Sequence, residues 1–162
     1  MQANPDCPFC EIVARDDPDA REVYRDERSV AFFPTEPAVL GHTLVIPRAH
    51  IPDLWSLDEE TVQHLSVVTL QIARAVRAAL RPDGLNVIQS NGTAASQSVV
   101  HLHVHVVPRW NNDRIGRIWP PESNYSEEAK DEAWGDLRDA CRKINTSSEE
   151  GSSLRRRHPP AP

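Results

Sequence analysis

Nothing in this chain approaches the ~18 consecutive apolar residues that a membrane helix needs, which excludes a spanning segment. The stretch Met1–Ala20 has neither a basic start nor an apolar core, so it does not read as a secretory leader, and a cytoplasmic protein with no membrane partner is expected. Cysteine is scarce as well. Cys7, Cys10 and Cys141 are an odd number that does not build the disulfide framework of a small secreted domain. Positive charge is in deficit, with 18 Lys and Arg against 24 Asp and Glu for a net charge of −6. That balance argues against a nucleic-acid coat or a polybasic membrane patch, while small anionic ligands held by a few local groups stay open. A chain of 162 residues has the length of one domain and buries enough surface to fold without staples.

The composition changes at residue 145. From Asn145 to Pro162 the chain is Ser, Glu, Gly, Arg and Pro with two apolar residues, Leu154 and Ala161, too little to build a core. A domain over 1–144 followed by a disordered tail over 145–162 is expected, with Arg155–Arg157 solvated. Two helices stand out before it. Ser56 with Glu59 three residues on has a capping-box pattern. Val62, Leu65, Val68, Ile72, Val76 and Leu80 then recur at helical steps until Pro82 and Gly84. A second helix starts near Ser126, with Ala129, Ala133, Leu137, Cys141 and Ile144 on one face, so Cys141 reads as a buried small hydrophobe. His64 lies off the first helix's apolar stripe and reads as a surface residue. Short strands fit Glu22–Arg25, Ser29–Phe33, Thr43–Ile46, Leu85–Gln89 and Val99–Val107. Strands grouped around helices in this order predict an α+β domain with an antiparallel sheet.

The last of these strands carries the chemistry. Val100, Leu102, Val104 and Val106 alternate with His101, His103 and His105, which predicts one buried face and a row of imidazoles ~7 Å apart on the other. Histidine is a poor choice for a plain solvent face, and three in phase point to a functional site. They suit metal ligation or nucleophilic and proton-transfer chemistry. A catalytic zinc wants a third ligand and a general base, so attack at phosphorus by an imidazole fits better. Ser98 precedes the row and is placed to reach a leaving group. Cys7 and Cys10 have metal-ligand spacing, but one pair alone is compatible with a zinc site or a free dithiol. A redox pair lacks the expected βαβ surroundings.

His101-Leu102-His103-Val104-His105-Val106-Val107 resembles the signature of the histidine-triad family at every position. Cys7-Pro8-Phe9-Cys10, Gly41-His42-Thr43-Leu44-Val45-Ile46-Pro47, Ser90-Asn91-Gly92 and Gln97-Ser98-Val99 extend the likeness to the Hint-like bacterial branch, over about residues 5 to 120. The resemblance implies an antiparallel sheet of about five strands with a long helix and a C-terminal helix, in a homodimer. It implies a nucleotide substrate and an enzyme that cleaves the α-phosphate bond of nucleoside phosphoramidates or related conjugates. In that reaction His103 attacks phosphorus, forms a nucleotidyl-histidine and is released by water.

The same resemblance assigns the remaining residues. His105 contacts the phosphate and helps protonate the leaving group, Ser98 lies near that group, His101 supports the nucleophile or binds metal, and His42 is a fourth histidine at the site. Gln97 is a phosphate-side contact, Ser90 lies near ribose and phosphate, and Phe9, Ile12 and Phe32 pack the base, although all three also fit a plain core. Trp119, in Ile118-Trp119-Pro120-Pro121, resembles a stretch that reaches the partner subunit's site. Cys7, Cys10, His50 and His101 would form a structural zinc site. One position departs from the pattern: Pro34 stands where many members carry an Asp that binds ribose hydroxyls, leaving Thr35 or Glu36 to replace it, or the sugar unread. His105-Val106-Val107-Pro108-Arg109-Trp110 also resembles the dinucleoside-polyphosphate phosphorylase branch. Alternatives are therefore a dinucleoside polyphosphate hydrolase or phosphorylase, a low-turnover nucleotide-binding regulatory module, and a metal-dependent hydrolase with the triad as ligands.

Overall fold

The computed structural model describes residues 4–15, 20–120 and 124–155. They fall into two compact units divided after Gly116. The first unit holds helix α1 (Pro8–Arg15), strands β1 (Glu22–Arg25), β2 (Ser29–Phe32) and β3 (Thr43–Pro47), helix α2 (Glu59–Leu80), and strands β4 (Gly84–Gln89) and β5 (Val104–Arg109). The strands form one antiparallel sheet in the order β1-β2-β3-β5-β4. The fold is α+β, as the sequence predicts.

Both faces of the sheet are covered. Ala31, Val45, Leu102 and Val106 meet Leu65, Val68, Ile72 and Val76 of α2. Val30, Phe32, Leu44 and Ile46 point the other way, against Cys7, Phe9 and Cys10 at the start of α1. Residues of β2 and β3 are therefore buried throughout. Each large apolar side chain so placed contributes ~1.5–3 kcal/mol. Phe9 of this second layer packs edge-on against the His101 and His103 rings.

Helix ends differ from the expected caps. Asp58 caps α2, its Oδ1 accepting the Thr61 N–H at 2.7 Å. Ser56 closes a preceding 3-10 turn over Leu54–Ser56, donating both N–H and Oγ–H to Asp53. These two aspartates thus outcompete the capping box. Arg81 in the left-handed region ends α2 one residue before Pro82. His64 is half-buried, not a free surface residue: its Nε2 lies 3.1 Å from Asp26 Oδ2 and 3.3 Å from Ser29 Oγ, tying α2 to the β1–β2 turn. Asp26 holds that turn. Burial alone would raise its carboxyl, but donors from Arg28, Tyr24 and Ser29 bring it down to about 2.

The second unit contains α3 (Glu127–Arg155), opened by Ser126 Oγ accepting the Ala129 N–H. Helical backbone runs through residues 145–155, where composition predicts the start of a disordered tail; residues 156–162 lie outside the described residues. Leu137, Cys141 and Ile144 are exposed, so Cys141 is not the buried hydrophobe its spacing predicts. Periodicity fixes which residues share a helix face, whereas burial needs an opposing surface, and the described part of this unit supplies none.

Gly41 sets the entry to β3 and to His42. It sits at φ +86°, and an added Cβ would run into Leu80 at the end of α2 and lie 3.2 Å from Pro108. Gly41→Ala should lower stability by ~1–3 kcal/mol through strain and overpacking. Chemical denaturation checks this, and an unchanged midpoint would contradict the packing described.

Candidate active site and metal centre

The triad histidines do not lie on one strand. The β5 ladder begins at Val104, which pairs with Val45 and Gln89. Upstream, the His101 N–H bonds to Val99 O and the Leu102 N–H to Ile51 O at 2.6 Å, so the chain turns instead of extending. Val100 is therefore 65% exposed rather than packed in the core. The turn lets His101 face one neighbourhood and His103 and His105 another.

His101 is fully buried. Its Nε2 lies 2.9 Å from the Pro47 carbonyl, which only accepts, so Nε2 carries the proton and Nδ1 keeps its lone pair. That lone pair lies 3.5 Å from Cys7 Sγ and 3.7 Å from Cys10 Sγ, and His50 Nδ1 is 3.3 Å from Cys10 Sγ. Burial, reinforced by nearby His50 and His103, holds the His101 ring neutral by pushing it down to about 4. Cys7 directly precedes α1 and Cys10 lies in its first turn, with Pro8 at the first helical position. One ligand atom from each of the four residues lies within 4.8 Å of all the others. Two cysteine sulfurs and two imidazole nitrogens are the donor set of a tetrahedral zinc site, so this cluster could hold a metal ion.

The next turn places His103. His103 Nδ1 donates to the His101 carbonyl at 2.7 Å. With Nδ1 protonated, the Nε2 lone pair is free. Phe9 meets the His103 ring edge-on at 5.3 Å and the Phe32 ring at 5.4 Å. These edge-to-face contacts fix the imidazole plane. His42 accepts the Ala38 N–H at Nδ1, so its Nε2–H donates to His105 Nδ1 at 2.9 Å. His105 is thereby left with its proton on Nε2. Burial first, then the neighbouring imidazoles, lowers His105 to about 4, and burial with His103 nearby lowers His42. The site thus presents an acceptor nitrogen on His103 beside a donor N–H on His105, with ring centroids 4.9 Å apart.

These groups open on a cavity of about 580 Å³. Of the residues expected there, Phe9, Ile12, Phe32, His42, Ser98, His103 and His105 all line it. Three others do not. Gln97 commits its amide to the loop, accepting from Gly92 N–H and donating to the carbonyls of Pro52 and Val99. Ser90 follows β4 outside the cavity wall, and Trp119 is exposed in the second unit. Pro34, Thr35 and Glu36 line the cavity together with Arg21, which the sequence leaves unmarked because a loop residue before a short strand carries no pattern.

The His101-Leu102-His103-Val104-His105 motif on this five-stranded antiparallel sheet places the chain in one class, the histidine-triad proteins. The HIT domain model matches residues 15–112, and the chain belongs to that family. It is 40% identical over 120 residues to Protein hit of Bacillus subtilis, covering 74% of this chain and 82% of that one. It is 32% identical over 118 residues to the adenylylsulfatase HINT3 of Arabidopsis thaliana, 73% of this chain and 58% of that protein. The structure of a zinc-bound histidine triad family protein from Mycobacterium smegmatis superposes with a TM-score of 0.64 at 40% identity, covering 83% of this chain and 97% of that one.

The depressed His105 has a measurable consequence. An unfolded histidine takes up a proton near pH 6.5, whereas His105 in the fold resists until about 4. Over that window the unfolded state binds more protons, so stability is present above pH 6.5 and falls as pH drops toward 4. His105→Asn should reduce the slope of unfolding free energy against pH there by about one proton. A parallel curve for the variant would show that His105 is not held neutral by the fold.

Proposed function

We propose that this protein is a nucleotidyl hydrolase or transferase, cleaving nucleoside phosphoramidates or related conjugates at the α-phosphate through His103. The observation that carries the reading is the His103 tautomer, whose free Nε2 lone pair faces the cavity while Nδ1 is anchored to the His101 carbonyl. Nε2 attacks phosphorus, the N–P bond forms, and the bond to the leaving group breaks. The His105 N–H donates to a phosphoryl oxygen or to the departing atom, with the Ser98 hydroxyl beside it. Water then attacks phosphorus, breaks the N–P bond and releases the nucleoside monophosphate with His103 restored.

The energetics favour this route. Once Nε2 carries the phosphoryl group the ring is cationic, and the Nδ1–H bond to His101 becomes charge-assisted. A neutral bond contributes ~0.5–1.5 kcal/mol and a charged one ~1.5–3 kcal/mol, so the contact strengthens as the reaction proceeds. A hydrolase using the triad as metal ligands fits less well, because His103 Nδ1 and His105 Nδ1 are already committed to hydrogen bonds and His101 Nδ1 faces Cys7 and Cys10. His103→Ala should lower kcat by ~1000-fold or more while nucleotide binding persists. A variant retaining more than about a tenth of the wild-type rate contradicts the mechanism.

We assign Cys7, Cys10, His50 and His101 to structural zinc, a reading supported by the ligand geometry and by the zinc-bound relative. Bound there, zinc would clamp α1 to the turn that carries His103. Protein purified without chelator should hold about one zinc per chain, and Cys10→Ser should lower the melting temperature more than it lowers kcat. Absence of metal from the purified protein would overturn the assignment. A homodimer is proposed on similar grounds: β4 is an edge strand whose Leu85 and Val87 are exposed, along with Val67 and Leu70 of α2.

Pro34 offers the cavity neither a side-chain acceptor nor a backbone N–H. With no carboxylate at that position, ribo and 2′-deoxyribo forms of one phosphoramidate should differ by less than about tenfold in kcat/KM. A stronger ribose preference that survives Thr35→Ala and Glu36→Ala would contradict this.

A further inference from the structure

The cavity has a charged end that the chemistry above does not use. Arg21 is the one lysine or arginine, and Glu36 the one carboxylate, among the described residues that line it. Neither forms an ion pair or a side-chain hydrogen bond among the described residues, and they are not paired with each other. Arg21 also holds a left-handed backbone at φ +43°. Residues with a Cβ avoid that region. Its carbonyl accepts the Phe33 N–H at 3.3 Å. Left-handed backbone of this kind recurs at ligand-binding walls.

The sheet register locates this end. Glu22, Phe32, Leu44 and His105 lie in one row across β1, β2, β3 and β5. Arg21 precedes Glu22, so it stands about three strand spacings, roughly 14 Å, from His105. Phe9, Ile12, Phe32 and Leu44 lie along the same cavity wall. A nucleoside monophosphate with its phosphorus at His103 and its base against Phe32 would bring the outer edge of that base toward Arg21 and Glu36.

We propose that Arg21 and Glu36 read a guanine base, which makes guanosine conjugates the preferred substrate class. This rests on the nucleotidyl-transfer reading given above. Guanidinium and carboxylate groups are both flat and two-pronged. Guanine presents two adjacent acceptors, O6 and N7, on one edge and two adjacent donors, N1–H and the 2-amino group, on the next. Adenine breaks both pairs, with a donor beside N7 and a lone acceptor at N1. A purely anionic group at this end would satisfy Arg21 and be repelled by Glu36, so a neutral base carrying both kinds of edge is the better match.

The test compares guanosine and adenosine 5′-phosphoramidates by kcat/KM, and GMP with AMP by calorimetric titration, on the full chain. Arg21→Gly removes the guanidinium at a φ that glycine favours, and Glu36→Gln removes one charge, so neither variant puts folding at risk. The wild type should prefer guanosine by about tenfold or more, and each variant should bring the ratio toward one. Equal rates and affinities for the two bases in the wild type overturn the proposal. So does an Arg21→Gly loss that is the same for both bases, which would mean that Arg21 holds an anion. A Glu36→Gln effect on the ribo to deoxyribo ratio, with the base ratio unchanged, would assign Glu36 to the sugar and overturn it also. If neither phosphoramidate turns over but GMP still binds more tightly than AMP, the catalytic reading fails and base recognition stands.

Discussion

The carbonyl oxygen of His101 accepts the Nδ1–H of His103 at 2.7 Å, while the imidazole of the same residue turns its own lone pair toward Cys7 and Cys10. One residue thereby joins the two halves of the site. Its ring belongs to the metal centre, and its peptide group decides which nitrogen of His103 is free. The Pro47 carbonyl fixes the ring from the other side. Placing an imidazole and a peptide group so firmly demands that the surroundings be packed on both sides, which explains why α1 covers the sheet face that α2 leaves open. The Cys7, Cys10 and His50 side chains gather around the His101 ring, and the hydrogen bond from His103 fixes the direction of its peptide group.

The second pair of histidines follows the same logic with a different anchor. The Ala38 N–H orders His42, and His42 orders His105, so a backbone donor in the loop before β3 decides where the His105 proton sits. The His103 and His105 rings, 4.9 Å apart, carry opposite hydrogen-bonding character and offer acceptance and donation side by side. Burial keeps His105 and His42 neutral, and the consequence of that burial is lost stability in acid.

Much of this is legible in the residues. The spacing of His101, His103 and His105 marks the site, and the apolar runs of β2 and β3 mark the sheet. The Cys7–Cys10 pair becomes a candidate metal centre once His50 and His101 join it. The alternation fails at Val99–His103 because a period of two says nothing about where pairing stops. There the Ile51 carbonyl and the Gln97 amide capture the backbone, and Val100 turns outward. Gln97 is a phosphate-side contact only by the resemblance, while its hydrogen bonds to Gly92, Pro52 and Val99 span up to 45 residues and leave no local trace. Arg21 and Cys141 show the same gap from opposite sides. A neighbouring wall makes the first a cavity residue, and the absence of one among the described residues leaves the second exposed.

The covalent role of His103 is the claim on which the account stands. It is tested most directly by mixing enzyme with a nucleoside 5′-phosphoramidate, quenching within the first turnover in alkali, where N–P bonds survive, and mapping peptide masses. The account predicts a nucleoside monophosphoryl group on His103, formed and lost at rates compatible with turnover. Steady turnover with His103 unmodified, or with the group carried by another residue, would contradict it.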